Sequence, residues 1–302
     1  MPERYRYTFI FNPEADKGRA VRHEPWLRSR VSCLKGASLM TTAYAGHAGE
    51  IARDASLESD CLVACGGDGT LHEVVNAVAC SDIAVAVLPI GSANDFAKTL
   101  GSSGNTRAAL QDCLAGRQRK VDLGHVVFNC DDRRFFVNSL GLGLTGRIAG
   151  TVKRTTWLKG ELSYVHALFS VLVGYAPLKM HIKITAPDAV FEMHEPVFAF
   201  SVSNGKIEGG RFRIAPDADP ADGLLDVCIL KSIPKLAFFR YVIMYLRGSQ
   251  IRDPKVVYCK ASSIEIIMAE PEIMHMDGEV FESRPGRITI SVVPAALTVV
   301  SS

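Results

Sequence analysis

Short apolar runs alternate with helix-period segments over the first 120 residues. YTFIFN (7–12), ASLMTTAY (37–44), CLVAC (61–65) and IAVAVLPI (83–90) are strand-like in length and composition. Between and after them, HEPWLRSRVSCLK (23–35), HAGEIARDAS (47–56), LHEVVNAVA (71–79) and RAALQDCLAG (107–116) read as helices. Strands that alternate with helices imply an α/β unit built on a mainly parallel sheet, covered on both faces.

The rhythm changes near residue 120. VDLGHVVF (121–128) and RRFFVNSLGLG (133–143) are strand-like and close together; one helical pattern follows, ELSYVHALFSVLVG (161–174). HIKITA (181–186), PVFAFSVSN (196–204), LLDVCIL (224–230), VVYCK (256–260), SIEIIM (263–268) and RITISVV (287–293) follow, most with β-branched alternation. The pattern predicts two domains: residues 1–125 as the α/β unit, and residues 126–286 as a mostly antiparallel, β-rich unit. A last strand, from about 287 to 302, is expected to return to the first unit.

Composition narrows the function classes. Lys and Arg number 34 against 32 Asp and Glu, a balance that argues against a dedicated nucleic-acid binder. Eight cysteines are scattered without a C-x-x-C pair, which reads as packing in a reduced, cytoplasmic setting. Residues 1–7 are polar and charged and do not resemble a signal peptide. No apolar run reaches the roughly 18–20 residues a spanning helix needs, so any membrane contact is expected at the surface. The sequence leaves the oligomeric state open, a homodimer included.

LVACGGDGTLHEVVNAV (62–78) carries the candidate chemistry: an apolar strand, three glycines around Asp68, then a helix. Glycines let an anionic ligand approach the main chain and permit positive φ, and the helix start presents N–H groups to it. A plain reading makes Asp68 the cap of its own helix. Beside phosphates a bare carboxylate would repel. With Mg²⁺ between them the sign reverses, which favours Asp68 as part of a metal network. The stretch matches neither the P-loop pattern nor G-x-G-x-x-G.

GGDGT (66–70) followed by LHEVVNAV resembles the nucleotide loop of the diacylglycerol kinase catalytic-domain family, which includes bacterial lipid kinases and sphingosine kinases. FNP (11–13), TTAYAGHAGEIA (41–52), LPIGSANDFAKTLG (88–101), VDLG (121–124) and MDGE (276–279) resemble further family motifs, in family order. The resemblance implies an ATP- and Mg²⁺-dependent lipid kinase that phosphorylates a hydroxyl of diacylglycerol or a related lipid at a membrane surface. By that resemblance Asn12, Thr42, Gly66, Gly67, Asp68, Gly69, Thr70, Ser92, Asn94 and Glu279 contact ATP. Asp68, Asp95 and Asp122 form the Mg²⁺ network, and Asp277 is the general base. Read alone, Asp277-Gly278 is a hairpin turn; Asp95 alone is a helix cap and Asp122 a strand-end residue.

Two segments depart from the family pattern. NPEADKGRA (12–20) replaces the usual Asn-Pro-Ser-Gly, with Lys17, Gly18 and Arg19 as candidate phosphate ligands. Ser92-Ala93 stands where Thr-Gly is common. The acidic turn APDADPADGLLDV (215–227) resembles one that holds a structural Mg²⁺ mainly by main-chain oxygens, with Asp219, Asp222 and Leu224 as the ligands by that resemblance; a solvated turn explains it equally well. For the lipid, Leu140, Leu142, Leu144, Leu168, Phe169 and Leu172 are candidate cleft residues. Lys153, Arg154 and Lys159 around Trp157 suit an anionic membrane surface. Two alternatives stand beside this reading: a kinase of NAD, and a protein of the same fold that binds lipid without turnover.

Overall fold

The computed structural model describes residues 5–102, 104–129, 132–155 and 161–300, with side chains of 161–164 left aside. Trp157 and Lys159 lie outside the described residues. The chain divides into two compact units: Met1–Asp122 with Ala295–Ser302, and Leu123–Pro294.

The first unit runs β1 (Tyr7–Phe11), α1 (Glu24–Val31), β2 (Ala37–Thr41), α2 (His47–Ala55), β3 (Cys61–Gly66), α3 (Asp68–Val78), β4 (Ala84–Pro89), α4 (Asp95–Thr99) and α5 (Thr106–Ala115). The strand β5 (Gln118–Phe128) leaves it. Its sheet is parallel in the order β2–β1–β3–β4. Every residue of β3 is buried, as expected of a parallel strand covered on both faces. Phe9, Phe11, Leu27, Val63 and Leu88 are fully buried in one core; each such side chain contributes about 1.5–3 kcal/mol on removal from water. The helix expected over 23–35 is shorter. A 3-10 turn (Arg19–His23) precedes α1, and Pro25 sits in the first turn of α1, where its missing N–H costs nothing.

The second unit holds β6 (Asp132–Phe136), β7 (Ser139–Gly143), α6 (Leu144–Arg154), α7 (Glu161–Gly174), β8 (His181–Thr185), β9 (Val190–Met193), β10 (Val197–Ser203) and β11 (Leu225–Lys231). It continues with α8 (Phe238–Arg247), β12 (Val256–Ala261), β13 (Ser263–Met268), β14 (Ile273–Met276), β15 (Glu279–Glu282) and β16 (Gly286–Val300). One sheet has the order β12–β11–β10–β7–β14–β15; another runs from β16 through β13 and β8 to β9. The pairs within both are antiparallel. Leu140, Leu142, Phe200 and Val202 of the one meet Ile182, Ile184, Ile264 and Ile266 of the other in a shared apolar layer. Helices α6, α7 and α8 cover the six-stranded sheet through Leu144, Leu172, Phe198, Phe238 and Tyr241.

Leu140, Leu142 and Leu144 are therefore sealed core residues, at most 1% exposed, and line no cleft. The alternation of Leu140 and Leu142 on β7, continued by Leu144 at the start of α6, explains the expectation: a strand in a sandwich core and one lining a lipid cleft share the same apolar period. Leu172 is likewise buried, whereas Phe169 is 52% exposed.

The last strand changes unit along its length. Residues 286–291 of β16 pair with β13, whereas Thr298, Val299 and Val300 lie parallel to Ala84, Val85 and Ala86 of β4.

Candidate active site

In the first unit the strand–glycine–helix turn is closed by contacts between distant motifs. Gly67 is the N-cap of α3, in extended conformation with φ −102°, and Asp68 is the first helical residue. The Gly66 carbonyl accepts the N–H groups of Ile90 and Gly91. Left-handed backbone is not what Gly66 and Gly67 supply, since neither has positive φ. What they supply is missing volume. A Cβ on Gly66 would overlap Thr70 Oγ1, and a Cβ on Gly91 would overlap Gly67 Cα. The two turns touch main chain to main chain, which only glycine permits.

Asp68 does not cap its own helix. Its Oδ1 accepts the N–H of Asp95 at 2.7 Å and of Phe96 at 3.4 Å, and so ties the start of α3 to the start of α4. The cap of α4 is Asn94, with φ +52°, so Asp95 is not a cap either. Asn94 Oδ1 accepts the Gly91 N–H at 3.0 Å, and its Nδ2 donates to the Gly91 carbonyl at 2.7 Å. Asn12 Nδ2 donates to Thr70 Oγ1 at 2.9 Å, joining the end of β1 to the first turn of α3. Thr42 is buried, and its N–H donates to the Phe11 carbonyl. Gly69 lies within the first turn of α3.

The two segments that depart from the family pattern contact each other. Ser92 Oγ donates to Asp16 Oδ1 at 2.5 Å, across 76 positions, and Arg19 Nη2 lies 2.6 Å from the same oxygen. Burial pushes the Asp16 carboxyl up, but the Ser92 hydroxyl and the Arg19 guanidinium outweigh it and hold the group below the usual range. Asp16, Lys17 and Gly18 follow one another with positive φ, a local turn that presents Asp16 to Ser92. Asp16 escaped sequence reasoning because its partner is far along the chain.

Asp122 is 2% exposed, within β5 rather than at a strand end, and its Oδ1 accepts the Ala295 N–H at 2.8 Å. It thereby anchors the returning chain at a residue that has φ +52°. Asp68 and Asp95 are thus joined through one hydrogen bond, while the contact seen for Asp122 is to Ala295. Asp68, Asp95 and Asp122 offer hard carboxylate oxygens, the donor type Mg²⁺ takes, but their ligand atoms do not all lie within 4.8 Å of one another.

In the second unit Asp277 and Gly278 form a two-residue hairpin turn between β14 and β15, with φ +50° and +83°. The turn reading was therefore correct, and the side chain does more. Asp277 Oδ1 accepts the N–H groups of Asn138 at 2.8 Å and Ser139 at 3.1 Å, and Oδ2 accepts that of Val137 at 3.0 Å. The carboxylate is 4% exposed and held in one orientation by the strand end it faces. Glu279 forms an ion pair with Lys153 at 2.7 Å.

His275, two residues earlier, is 2% exposed, and its Nε2 lies 3.1 Å from Glu208 Oε1. Gly141 opposite has no side chain because a Cβ there would overlap that nitrogen. Burial pushes the imidazole down, but the Glu208 carboxylate and then the Asp277 charge raise it above its ordinary value. A base held above its unfolded value stabilises the fold fully below about pH 6.5 and loses that contribution as pH rises through the raised value. The melting temperature should accordingly fall as pH is raised from about 6.5 upward through the raised value, and Glu208→Gln should flatten that slope. A thermal melt series across pH checks this; an unchanged slope in the variant removes the pair from the account.

The acidic turn near residue 220 is neutralised from within. Asp222 Oδ1 accepts the Leu224 N–H at 3.0 Å, and Oδ2 lies 2.6 Å from Lys260 Nζ. Lys260 also meets the buried Asp226 at 3.1 Å, and Asp219 Oδ1 accepts the Ala221 N–H. These ion pairs take up side-chain oxygens of Asp222 and Asp226, whereas a structural Mg²⁺ at this turn is expected on main-chain oxygens, on which the pairs do not bear.

A parallel α/β unit with a glycine cradle, joined in one chain to an antiparallel sandwich, defines a phosphotransferase class. Residues 6–126 match the diacylglycerol kinase catalytic domain, and residues 138–301 match the YegS C-terminal NAD kinase beta sandwich-like domain. The chain is 32% identical over 287 residues to a diacylglycerol kinase of Bacillus subtilis (strain 168), covering 93% of this chain and 92% of that one. It is 29% identical over 284 residues to a diacylglycerol kinase of Staphylococcus epidermidis (strain ATCC 12228 / FDA PCI 1200), covering 91% and 86%. A crystal structure of a diacylglycerol kinase from Bacillus anthracis str. Sterne shares the fold, with TM-score 0.72, 23% identity and coverage of 98% and 97%. The chain belongs to the diacylglycerol kinase catalytic-domain family, and it is a lipid kinase.

Proposed function

We propose that this enzyme transfers the γ-phosphoryl group of ATP to a hydroxyl of diacylglycerol or a closely related lipid, with Mg²⁺. The observation that carries the reading is the main-chain contact of Gly67 with Gly91, locked by Asp68 and Asn94. It leaves the first-turn N–H groups of α3, which have no intrahelical partner, bordered by glycine rather than side chain. The names of the relatives favour diacylglycerol over NAD as acceptor. The retained carboxylates at 68, 95, 122 and 277 favour turnover over lipid binding alone.

Each unit then has its own task. In the first, Asn12, Thr70, Asn94 and the glycines hold the nucleotide, and Asp68, Asp95 and Asp122 are the oxygen donors for Mg²⁺. When bound, the metal absorbs charge on the transferring phosphoryl group. In the second, Asp277 accepts the proton of the lipid hydroxyl as its oxygen attacks the γ-phosphorus. Glu279 completes the nucleotide contacts only by releasing Lys153. Enzyme and lipid meet at the cytoplasmic membrane surface, with the enzyme peripheral to it. No helix among the described residues is long and apolar enough to cross a membrane. Instead, α7 exposes Phe169 and Val173, the segment leading into α8 exposes Leu236, and α8 exposes Ile243 and Leu246. The rings of Phe169 and Phe239 lie 5.2 Å apart, and Lys235 Nζ donates to the Val173 carbonyl at 2.7 Å, so these residues form one patch. Apolar side chains beside Lys235, Arg240 and Arg247 suit an anionic lipid surface.

The test is transfer from labelled ATP, with Mg²⁺, to diacylglycerol, monoacylglycerol, phosphatidylglycerol, sphingosine and NAD, offered singly. Label in diacylglycerol is expected; label in NAD alone overturns the reading. The pair Val173→Asp and Leu236→Asp, at positions 82% and 83% exposed, should reduce transfer on anionic vesicles about tenfold or more. Transfer to a water-soluble short-chain diacylglycerol should be unchanged.

A further inference from the structure

Away from the residues assigned to catalysis, the hairpin of β8 and β9 gathers three metal-ligating side chains on one face. In its antiparallel register Ile182 faces Met193 and Lys183 faces Glu192. One step further along the same register, His194 comes opposite His181. Ile182 and Ile184 point into the core, so His181 and Lys183 lie on the outer face, together with Glu192 and His194. One ligand atom from each of His181, Glu192 and His194 lies within 4.8 Å of the other two.

The contacts these side chains make do not satisfy them. His181 Nε2 is 3.6 Å from Glu192 Oε2, too far for a hydrogen bond, and it is shielded from solvent without a partner. The imidazole rings of His181 and His194 are stacked, with centroids 4.1 Å apart; each neutral ring keeps one in-plane lone pair, and the two meet at one ion once the rings turn out of the stack. We propose that His181, Glu192 and His194 form a Zn²⁺ site that staples β9 to β8.

The chemistry suits zinc better than magnesium. Two imidazoles and one carboxylate are a borderline-soft set, and a tetrahedral sphere at about 2.0–2.2 Å places ligand atoms roughly 3.3–3.6 Å apart. Rotation about the side-chain bonds of surface residues closes the remaining gap. Lys183 Nζ stands 4.0 Å from Glu192 Oε1 and opposes a cation on that side, while Oε2 faces His181. Glu192 and His194 are exposed, so water has access to a fourth position. Strand β9 is the last of its sheet and pairs only with β8. A metal at the end opposite the 186–189 turn would fix that edge, which is otherwise free to slip or to pair with another chain.

The test uses the full chain stripped with a chelator, then titrated with Zn²⁺ against a chromophoric competitor, with melting temperature followed in parallel. One equivalent should bind with a dissociation constant of about 10 μM or tighter, and the melting temperature should rise. Mg²⁺ should not substitute. Affinity should fall in acid, because protons compete with the metal for the ligands. His181→Ala and His194→Ala, on the outer face, should each weaken binding at least tenfold, with metal-free melting and kinase activity unchanged. Lys183→Met should tighten it. Binding retained by the double histidine variant, no binding at about 100 μM Zn²⁺, or binding without a rise in melting temperature would each overturn the site. Loss of kinase activity in the stripped wild type alone bears on the phosphoryl-transfer reading and not on this one.

Discussion

Gly91→Ala should abolish measurable use of ATP while leaving a folded second unit. The added methyl would overlap Gly67 Cα and come within 2.8 Å of Asn94 Oδ1 and 3.0 Å of Gly67 N. Two of these neighbours are main-chain atoms, so no rotamer change relieves the clash. The turns must separate, and with them the hydrogen bonds from Ile90 and Gly91 to the Gly66 carbonyl. Overpacking of this kind costs about 1–3 kcal/mol in stability. The loss in function should be larger, because a displacement near 1 Å in a phosphate cradle costs about 10²-fold in rate or more. Gly174→Ala, where nothing lies within 4 Å of the added carbon, is the matched control and should leave both properties unchanged. Nucleotide binding by calorimetry, beside turnover, checks the result; near-normal ATP affinity in Gly91→Ala would remove the cradle from the donor site.

The second large effect is at Asp277. Asp277→Asn should lower turnover by about 10²–10⁴-fold, the usual range for a positioned acid–base group, with ATP binding nearly unchanged. It should also melt earlier. The asparagine amide can accept at one atom only, so its best orientation keeps Asn138 and Ser139 N–H and turns an NH₂ group toward the Val137 N–H. A buried donor left without an acceptor costs about 1–3 kcal/mol. Asp277→Ala strands all three donors and should be markedly less stable. A folded Asp277→Asn enzyme with near-normal turnover would leave Asp277 as a scaffold for residues 137–139 and no more.

Much of this architecture could be read from the chain. The strand–glycine–helix turn at 61–79, the change of rhythm near residue 120 and the ordered motifs all depend on local spacing, which a sequence displays. The contacts that hold the site together do not. Asp16 and Ser92 meet across 76 positions, and Asp68 accepts the first N–H of a helix 27 positions away. Neither leaves a periodic trace. The role of His275 leaves no trace in the sequence, because its partner, Glu208, lies in an irregular segment on another part of the chain. Gly66, Gly67 and Gly91 were legible as glycines but not in their purpose, since sequence cannot tell a need for left-handed backbone from a need for empty space. Leu140, Leu142 and Leu144 misled for a related reason: apolar alternation marks burial without naming what does the burying.

The route of β16 has a consequence for synthesis. Asp122 is translated long before Ala295, and Ala84 long before Thr298, yet each waits for that partner. On the ribosome the nucleotide half therefore remains with one open sheet edge until residues 298–300 have emerged. A nascent chain halted in the second half should expose β4 to chaperones, and a genetic fusion that blocks residues 298–300 from reaching Ala84–Ala86 should cost the donor site its fold, though it alters no residue assigned to ATP.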